Sequence, residues 1–385
     1  MKNVILITVD CLRPDHLGCY GYKGNTSPNI DKLATKGIRY TQAISNGGQT
    51  PFSFPSIMAS LLPPIKVEEV KYGISFFPTL AESFWNRGYY TVGIRDNPFL
   101  YDFFGYGRGF VVSQDFKMKS SIKIPTKIRT LLNPIVEYIR PKPYADATKL
   151  TSEAIRLCKG KNPFFLWIHY MDCHVPYLPP KKYCSISVKD AMKLYKLQRK
   201  EPIAYLYDSC IKYVDNEISR LLSELGDAQV IVTADHGEAL GEHRQFSHWS
   251  LYDEVLRVPL IISGAGIKSG EVINTQVELR NLNYLIDGQL RDNNGVISTM
   301  LYSPDGGESL EYLFKPDSKV QRLISYRTPE WKYIVKEDAG GKVISEETYL
   351  LADDPSELVN FHGEDESSIF EETAKAKIQK FKVLK

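Results

Sequence analysis

The chain has 385 residues, of which 43% are apolar and 24% are charged. This balance is that of an ordinary globular protein, and it excludes a disordered, collagen-like or coiled-coil chain. The 48 lysines and arginines nearly cancel the 46 aspartates and glutamates, so the formal net charge is only +2. Because no overall field would draw such a chain to polyanions, we expect no nucleic-acid partner.

The sequence carries no obvious export or membrane signal. Its longest apolar runs fall well short of the ~18–20 residues that cross a bilayer, so we expect no transmembrane segment. Near the N-terminus, Asp10 interrupts an apolar run too early for a secretory signal. The six cysteines lack CxxC spacing, which favours free thiols and a cytoplasmic location: Cys11, Cys19, Cys158, Cys173, Cys184 and Cys210.

Short apolar runs rich in β-branched residues alternate with amphipathic stretches along most of the chain. Six strands are predicted, at 3–9, 38–44, 90–94, 163–170, 229–233 and 258–262. Helices are predicted at 29–36, 78–87 and about 203–225, each followed by glycine. Strands that alternate with helices indicate an α/β fold with a large, mostly parallel sheet between layers of helices.

Two regions depart from this alternation. Residues 106–144 are rich in lysine and arginine, which indicates an insertion, either a cationic arm over an anionic site or, as is commoner for a charge run, a solvated excursion. After about residue 287, turn-rich sequence leads into short strands and an amphipathic tail at 367–383. We therefore predict a catalytic domain at 1–287 and a small antiparallel C-terminal subdomain at 288–385.

Metal-binding residue types stand where two predicted strands end. Asp10 follows the first apolar strand, and Asp235 and His236 follow the strand at 229–233. In an open α/β sheet, ligands bind at the carboxyl ends of the parallel strands, so these three side chains are expected to converge. An isolated aspartate at such a place is more often a helix cap, and the functional reading depends on the two strand ends together.

A candidate nucleophile lies between them in sequence. Ser53 is followed by a proline and a serine at the mouth of a predicted helix, where unpaired N–H groups favour an anion. Coordination to a dication is one way to activate a serine hydroxyl. The alternative is that Ser53 or Ser56 simply caps the helix.

In this order, the blocks resemble the sulfatase family of the alkaline phosphatase superfamily. The resemblance spans nearly the whole chain and rests on residues 4–10, 18–22, 27–34, 53–56, 172–180, 233–243, 252–260 and 353–360. It implies one divalent cation held by Asp10, Asp235 and His236, with Ser53 as both metal ligand and nucleophile. An imidazole in the ligand set favours Mn²⁺, with Ca²⁺, Mg²⁺ and Zn²⁺ as alternatives.

The resemblance also implies residues that act on the substrate. His174 and His248 are the candidates for the basic side chains that meet charge on the transferred group and the leaving oxygen. Asn97 is a candidate substrate contact, with Arg95 as its basic neighbour. The alternative for each histidine is a structural role.

Departures from the sulfatase pattern bear on the reaction. Sulfatases usually carry a second aspartate where Cys11 stands, and an arginine where Ile57 stands, so conversion of Ser53 to formylglycine is not expected. An unmodified hydroxyl nucleophile is more like the phosphodiesterase and phosphoglycerol- or phosphoethanolamine-transferase branches. Asp172 with His174 could add ligands for a second metal ion, but their spacing differs from that of two-metal relatives.

We therefore predict a metal-dependent hydrolase of small-molecule or glycan sulfate or phosphate esters. The alternatives are a phosphodiesterase or a transferase acting on a glycan or lipid head group, and a non-catalytic metal-binding module.

Overall fold

The structure is a computed structural model that describes residues 1–116, 144–291, 293–303 and 319–385. The β-structure of these residues consists of a nine-stranded sheet, a four-stranded antiparallel sheet and a two-stranded ribbon. The large sheet takes its strands from the first three quarters of the chain, and the four-stranded sheet takes its strands from the last quarter.

The large sheet is mixed but mostly parallel. β1 is central and pairs in parallel with β5 and β6, whereas β9 runs antiparallel to its neighbours β2 and β6. The spatial order is β10-β2-β9-β6-β1-β5-β3-β4, with β11 also on β2. The strands of this sheet are β1 (Asn3–Val9), β2 (Gly37–Ile44), β3 (Tyr90–Arg95), β4 (Val112–Asp115), β5 (Phe164–Tyr170), β6 (Ala228–Thr233), β9 (Arg257–Ser263), β10 (Glu271–Ile273) and β11 (Val277–Glu278), while β7 (Ala239–Leu240) and β8 (Phe246–Ser247) form the ribbon.

The predicted fold class is confirmed. All six predicted strands are present, within one residue at each end. β1 and β5 are buried along almost their whole length, because helices cover both faces and every side chain of a central parallel strand must then be apolar or paired.

Helices pack on the two faces of the sheet. The longest, α7, is the helix predicted at 203–225, and it packs against α1, α5 and α6. α1 and α4 are the two shorter helices that the sequence predicted. The helices are α1 (Pro28–Thr35), α2 (Thr50–Ala59), α3 (Val67–Tyr72), α4 (Leu80–Asn86), α5 (Ala147–Cys158), α6 (Val188–Lys196), α7 (Lys200–Leu225), α8 (Asp253–Leu256), α9 (Leu282–Ile286) and α10 (Ser368–Val383).

The last quarter of the chain forms a four-stranded meander covered by α10. The order is β12-β13-β14-β15, all antiparallel, and α10 packs on β13 and β14. The sequence analysis predicted short antiparallel strands and an amphipathic tail in this part of the chain, and α10 corresponds to that tail. The strands are β12 (Val296–Tyr302), β13 (Gln321–Arg327), β14 (Trp331–Glu337) and β15 (Val343–Leu350).

β12 contacts the loop that leads into α2. The Thr299 amide donates to Asn46 O at 3.1 Å, and the Gly48 amide donates to Thr299 O at 3.3 Å. A buried ion-pair network adds a second connection, since Lys332 Nζ lies 2.5 Å from Asp253 Oδ1 and Arg327 Nη2 lies 2.8 Å from Asp253 Oδ2. The meander is therefore joined both to the loop that leads into α2 and to the first residue of α8.

The predicted basic insertion lies largely at 117–143, outside the described residues. Its first part belongs to the main sheet: β4 pairs in parallel with β3, and the Tyr106 ring packs edge-on against Phe54. All six cysteines are free thiols. No helix within the described ranges has the length and apolar character of a membrane span.

Candidate active site

The predicted strand-end residues meet at one edge of the sheet. β1 and β6 are parallel neighbours with Thr8 opposite Thr233, so the loops that carry Asp10 and Asp235 leave the sheet side by side. The Asp10 amide donates to Tyr170 O at 2.8 Å, which holds this loop against the end of β5. Both carboxylates are fully buried.

Two imidazoles face these carboxylates. His236 Nε2 lies 3.4 Å from Asp235 Oδ2 and 3.9 Å from Asp10 Oδ1. His169 Nε2 lies 3.3 Å from Asp10 Oδ2. His169 belongs to β5, opposite Thr8, whose hydroxyl lies 3.0 Å from His169 Nδ1. The sequence analysis did not identify His169, although a histidine within the otherwise largely apolar β5 was the available signal.

The hydroxyl between the carboxylates belongs to Thr50. Thr50 is the first residue of α2, and its Oγ1 lies 3.0 Å from Asp235 Oδ2 and 3.3 Å from Asp10 Oδ2. Asn97 Nδ2 lies 3.3 Å from both Asp10 Oδ2 and Thr50 Oγ1. The predicted contact residue Asn97 is thus part of the site.

Ser53, the predicted nucleophile, has a different environment. Its hydroxyl donates to the Thr50 carbonyl at 3.3 Å, one turn into the helix. The physical reason is the position at which α2 begins. The first helical residue presents its side chain at the helix mouth, whereas a residue three positions later is directed back along the helix. The structure therefore places Thr50, rather than Ser53, against the carboxylates.

His174 and His248 line the same region beyond the carboxylates. Their ring centroids are 5.2 Å apart, and the His248 ring is 4.6 Å from that of His236. His174 is half-buried, and its Nδ1 lies 2.6 Å from Val175 O, which leaves its Nε2 for other contacts. His248 Nδ1 lies 3.4 Å from Glu238 Oε1.

The surroundings of Arg95 are not those expected of a substrate contact. It is fully buried, and its Nη2 lies 2.6 Å from Asp102 Oδ1 and 3.1 Å from Asp115 Oδ1. A guanidinium in such a place needs carboxylate partners to offset its desolvation. Arg95 therefore stabilises the loops that follow β3.

The site contains buried polar atoms that lack hydrogen-bond partners. These are Asp235 Oδ1, His236 Nε2 and His169 Nε2. A buried polar atom without a partner is costly, and a carboxylate oxygen with two imidazole nitrogens is a donor set that divalent metal ions accept. The ligand atoms of Asp10, His169 and Asp235 all lie within 4.8 Å of one another. These residues fit the divalent cation that sequence analysis predicted.

Electrostatics distinguish the two carboxylates. Burial alone would raise the pKa of Asp10, but His174, His169 and His236 outweigh it and hold the pKa well below its usual range. Burial and the neighbouring Asp10 raise the pKa of Asp235. Among the described residues, only imidazoles supply positive charge to these two carboxylates, and this arrangement favours an added cation.

The mostly parallel sheet, with these polar groups at the carboxyl ends of its parallel strands, is that of the alkaline phosphatase-like fold class. The sulfatase family profile matches residues 2–288, and the chain belongs to that family. Human iduronate 2-sulfatase is 26% identical over 327 residues, which cover 67% of this chain and 59% of the human protein. The chain thus spans less than two thirds of that relative.

Solved structures share the fold over almost the whole chain. Phosphonate monoester hydrolase of Agrobacterium radiobacter superposes with a TM-score of 0.71 at 17% identity, covering 100% of this chain and 96% of its own. A protein solved with its substrate D-glucosamine-2-N,6-O-disulfate gives a TM-score of 0.72 at 16% identity, covering 99% of this chain and 97% of its own. At such identities, these likenesses establish the fold alone.

Proposed function

We propose that this protein is a metal-dependent hydrolase of sulfate or phosphate esters in which Thr50 is the nucleophile. The observation that carries the proposal is the Thr50 hydroxyl, 3.0 Å from Asp235 Oδ2 and 3.3 Å from Asp10 Oδ2 at the start of α2. Thr50 takes the role that sequence analysis assigned to Ser53.

Asp10, Asp235 and His236 would hold the dication, with His169 as a further ligand on the Asp10 side. A cation bound there would favour the alkoxide form of Thr50 and offset negative charge on the transferred group. Two imidazole nitrogens beside carboxylates favour Mn²⁺ over Ca²⁺ or Mg²⁺, with Zn²⁺ as the alternative.

The protein groups supply the proton transfers. Thr50 Oγ1 attacks the sulfur or phosphorus atom, and its proton passes to Asp235 Oδ2, the carboxylate oxygen to which it already donates. The ester bond to the alcohol breaks, and His174 Nε2 protonates the departing oxygen. Water then attacks the threonyl ester and gives a proton to His174, while the proton on Asp235 returns to Thr50 Oγ1 as that bond breaks. The product is sulfate or phosphate from a monoester and a phosphate monoester from a phosphodiester. Asn97 Nδ2 contacts both Asp10 and the Thr50 hydroxyl and keeps the two side chains in position.

Phosphate esters or phosphodiesters are favoured over sulfate esters within this proposal. Formylglycine is an aldehyde formed at the Cβ of cysteine or serine, and the Thr50 Cβ carries a methyl group that prevents an aldehyde. Thr50 would therefore act as a nucleophile through its unmodified hydroxyl. A sulfated glycan, as in the names of the sulfatase relatives, is the alternative substrate.

A substrate panel tests the proposal. Metal-loaded and chelator-treated protein would be assayed on p-nitrophenyl sulfate, p-nitrophenyl phosphate, bis-p-nitrophenyl phosphate and a p-nitrophenyl phosphonate. We expect turnover of phosphorus esters that requires the metal. Product that forms only with an added acceptor alcohol would indicate a transferase, and metal binding without turnover of any ester would indicate a binding module.

A further inference from the structure

A second cluster of metal-ligand side chains adjoins the first and is not used by the reaction above. It consists of Cys11, Glu238 and His248, all buried. Cys11 follows Asp10 and has a left-handed backbone with φ of 61°, a conformation that costs a non-glycine residue of order 1 kcal/mol. The Tyr207 hydroxyl donates to Cys11 O at 2.6 Å and holds the backbone in place.

Glu238 is the member of this cluster whose surroundings most favour a bound cation. Its side chain is fully buried, and neither carboxylate oxygen has a hydrogen-bond partner. Within the described ranges, its only ion-pair contact is His248 Nδ1, at 3.4 Å, and no lysine or arginine nitrogen lies within 4.0 Å. Burying a carboxylate costs several kcal/mol unless a cation or good donors compensate it.

The two separations from His248 Nδ1 match those of ligand atoms around one tetrahedral metal ion. Zinc lies about 2.0–2.3 Å from nitrogen, oxygen and sulfur ligands, so ligand atoms around one tetrahedral ion are about 3.3–3.8 Å apart. His248 Nδ1 is 3.8 Å from Cys11 Sγ and 3.4 Å from Glu238 Oε1. Both separations fall within that range.

We propose that Cys11, Glu238 and His248 form a second metal site for a thiophilic divalent cation such as Zn²⁺. The cation takes the place of the thiol proton, which Cys11 Sγ now donates to Asp10 Oδ1 at 3.0 Å. The thiolate selects zinc over the harder ions that carboxylates accept. The fourth position is left to water or to a substrate oxygen.

The second site is separate from the first in its ligand atoms. His236 Nε2 faces the aspartates, whereas His236 Nδ1 lies 2.9 Å from Gly237 O and serves as a hydrogen-bond donor. His248 binds through Nδ1, and its Nε2 stays available to a substrate oxygen. The predicted catalytic role of His248 is therefore compatible with the second site.

Cobalt titration of the metal-free full chain tests this inference without any substrate. A thiolate ligand gives Co²⁺ an intense near-ultraviolet charge-transfer band, and metal analysis of the dialysed protein counts the ions. We expect about two ions per chain together with the band. Cys11→Ala should abolish the band and lower the content to about one ion, and Glu238→Gln should lower the content in the same way.

Cys158→Ala is the matched control, because Cys158 is also a buried free thiol and only burial perturbs its pKa. It should keep both ions and the band.

One ion without a band, or two without a band, would overturn the site. One ion with the band would place the thiolate on the first cation and would also overturn it. Should Cys11→Ala fail to fold, the wild-type count and Glu238→Gln decide. Since no turnover is measured, failure here is distinct from failure of the hydrolase proposal.

Discussion

Replacing Thr50 by valine removes the hydroxyl between the two carboxylates while preserving the shape of the side chain. If Thr50 is the nucleophile, the covalent route is lost, and turnover of the best ester in the panel should fall by about 10³-fold or more. Thr50→Ser retains a hydroxyl at the same place and should keep most of the activity.

Ser53→Ala is the matched control, because it removes a hydroxyl from the same helix. The Ser53 hydroxyl donates to the Thr50 carbonyl at 3.3 Å, and such a bond contributes about 0.5–1.5 kcal/mol to stability. Even if about 1 kcal/mol were lost entirely from the transition state, the rate would fall only about fivefold. The two variants should therefore differ by at least about two orders of magnitude.

The assay is steady-state turnover of metal-loaded protein, with metal content and thermal unfolding measured on each variant. Thr50→Val leaves Asp235 Oδ2 without a donor, so some loss of stability is expected and must be separated from the loss of rate. The assignment would be refuted if Ser53→Ala lost activity by 10³-fold while folded, metal-loaded Thr50→Val stayed within about tenfold of wild type.

Three further predictions concern the metal ion, pH and the C-terminal meander. His236→Ala should lose one metal ion per chain by elemental analysis and all metal-dependent turnover, and retention of both would contradict the ligand assignment. Burial raises the pKa of Asp96 to about 6, although the hydrogen bond from Tyr101 acts to lower it. The contribution of Asp96 to the unfolding free energy should thus fall by about 1–2 kcal/mol as pH rises from about 4 to 6, and Asp96→Asn should change the pH dependence measured in urea titrations by that amount relative to wild type. Lys332→Met leaves Asp253 with one cationic partner fewer and should destabilise the protein by about 3 kcal/mol in urea, whereas the same change at an exposed lysine should cost almost nothing.

The strand-end part of the site was predictable from sequence because it follows from the topology of a parallel sheet. Asp10 and Asp235 each terminate an apolar run, and adjacent parallel strands in register bring their ends together. His236 comes with Asp235 for the same reason. No knowledge of side-chain packing is needed for this step.

The hydroxyl and the second imidazole could not be assigned in that way. Thr50 and Ser53 lie in the same helix, and the choice between them depends on the residue at which the helix begins, which is the least reliable part of a sequence-based assignment. Pro51 was the available signal, because proline favours the first turn of a helix. His169 is placed beside Asp10 only by the register of β5 on β1, which the sequence of β5 alone does not contain.

Asn97 combines a capping role with a place in the candidate site. Its Oδ1 accepts a hydrogen bond from the Phe99 amide at 3.0 Å and caps the turn after β3. Its Nδ2 points the other way, 3.3 Å from Asp10 Oδ2 and from Thr50 Oγ1. An amide side chain has separate donor and acceptor atoms, so both roles can hold at once. Arg95, two residues earlier, has only donors, and its buried guanidinium is held by carboxylates. The chemistry of each side chain, more than its place in a motif, therefore decides which of the two residues reaches the site.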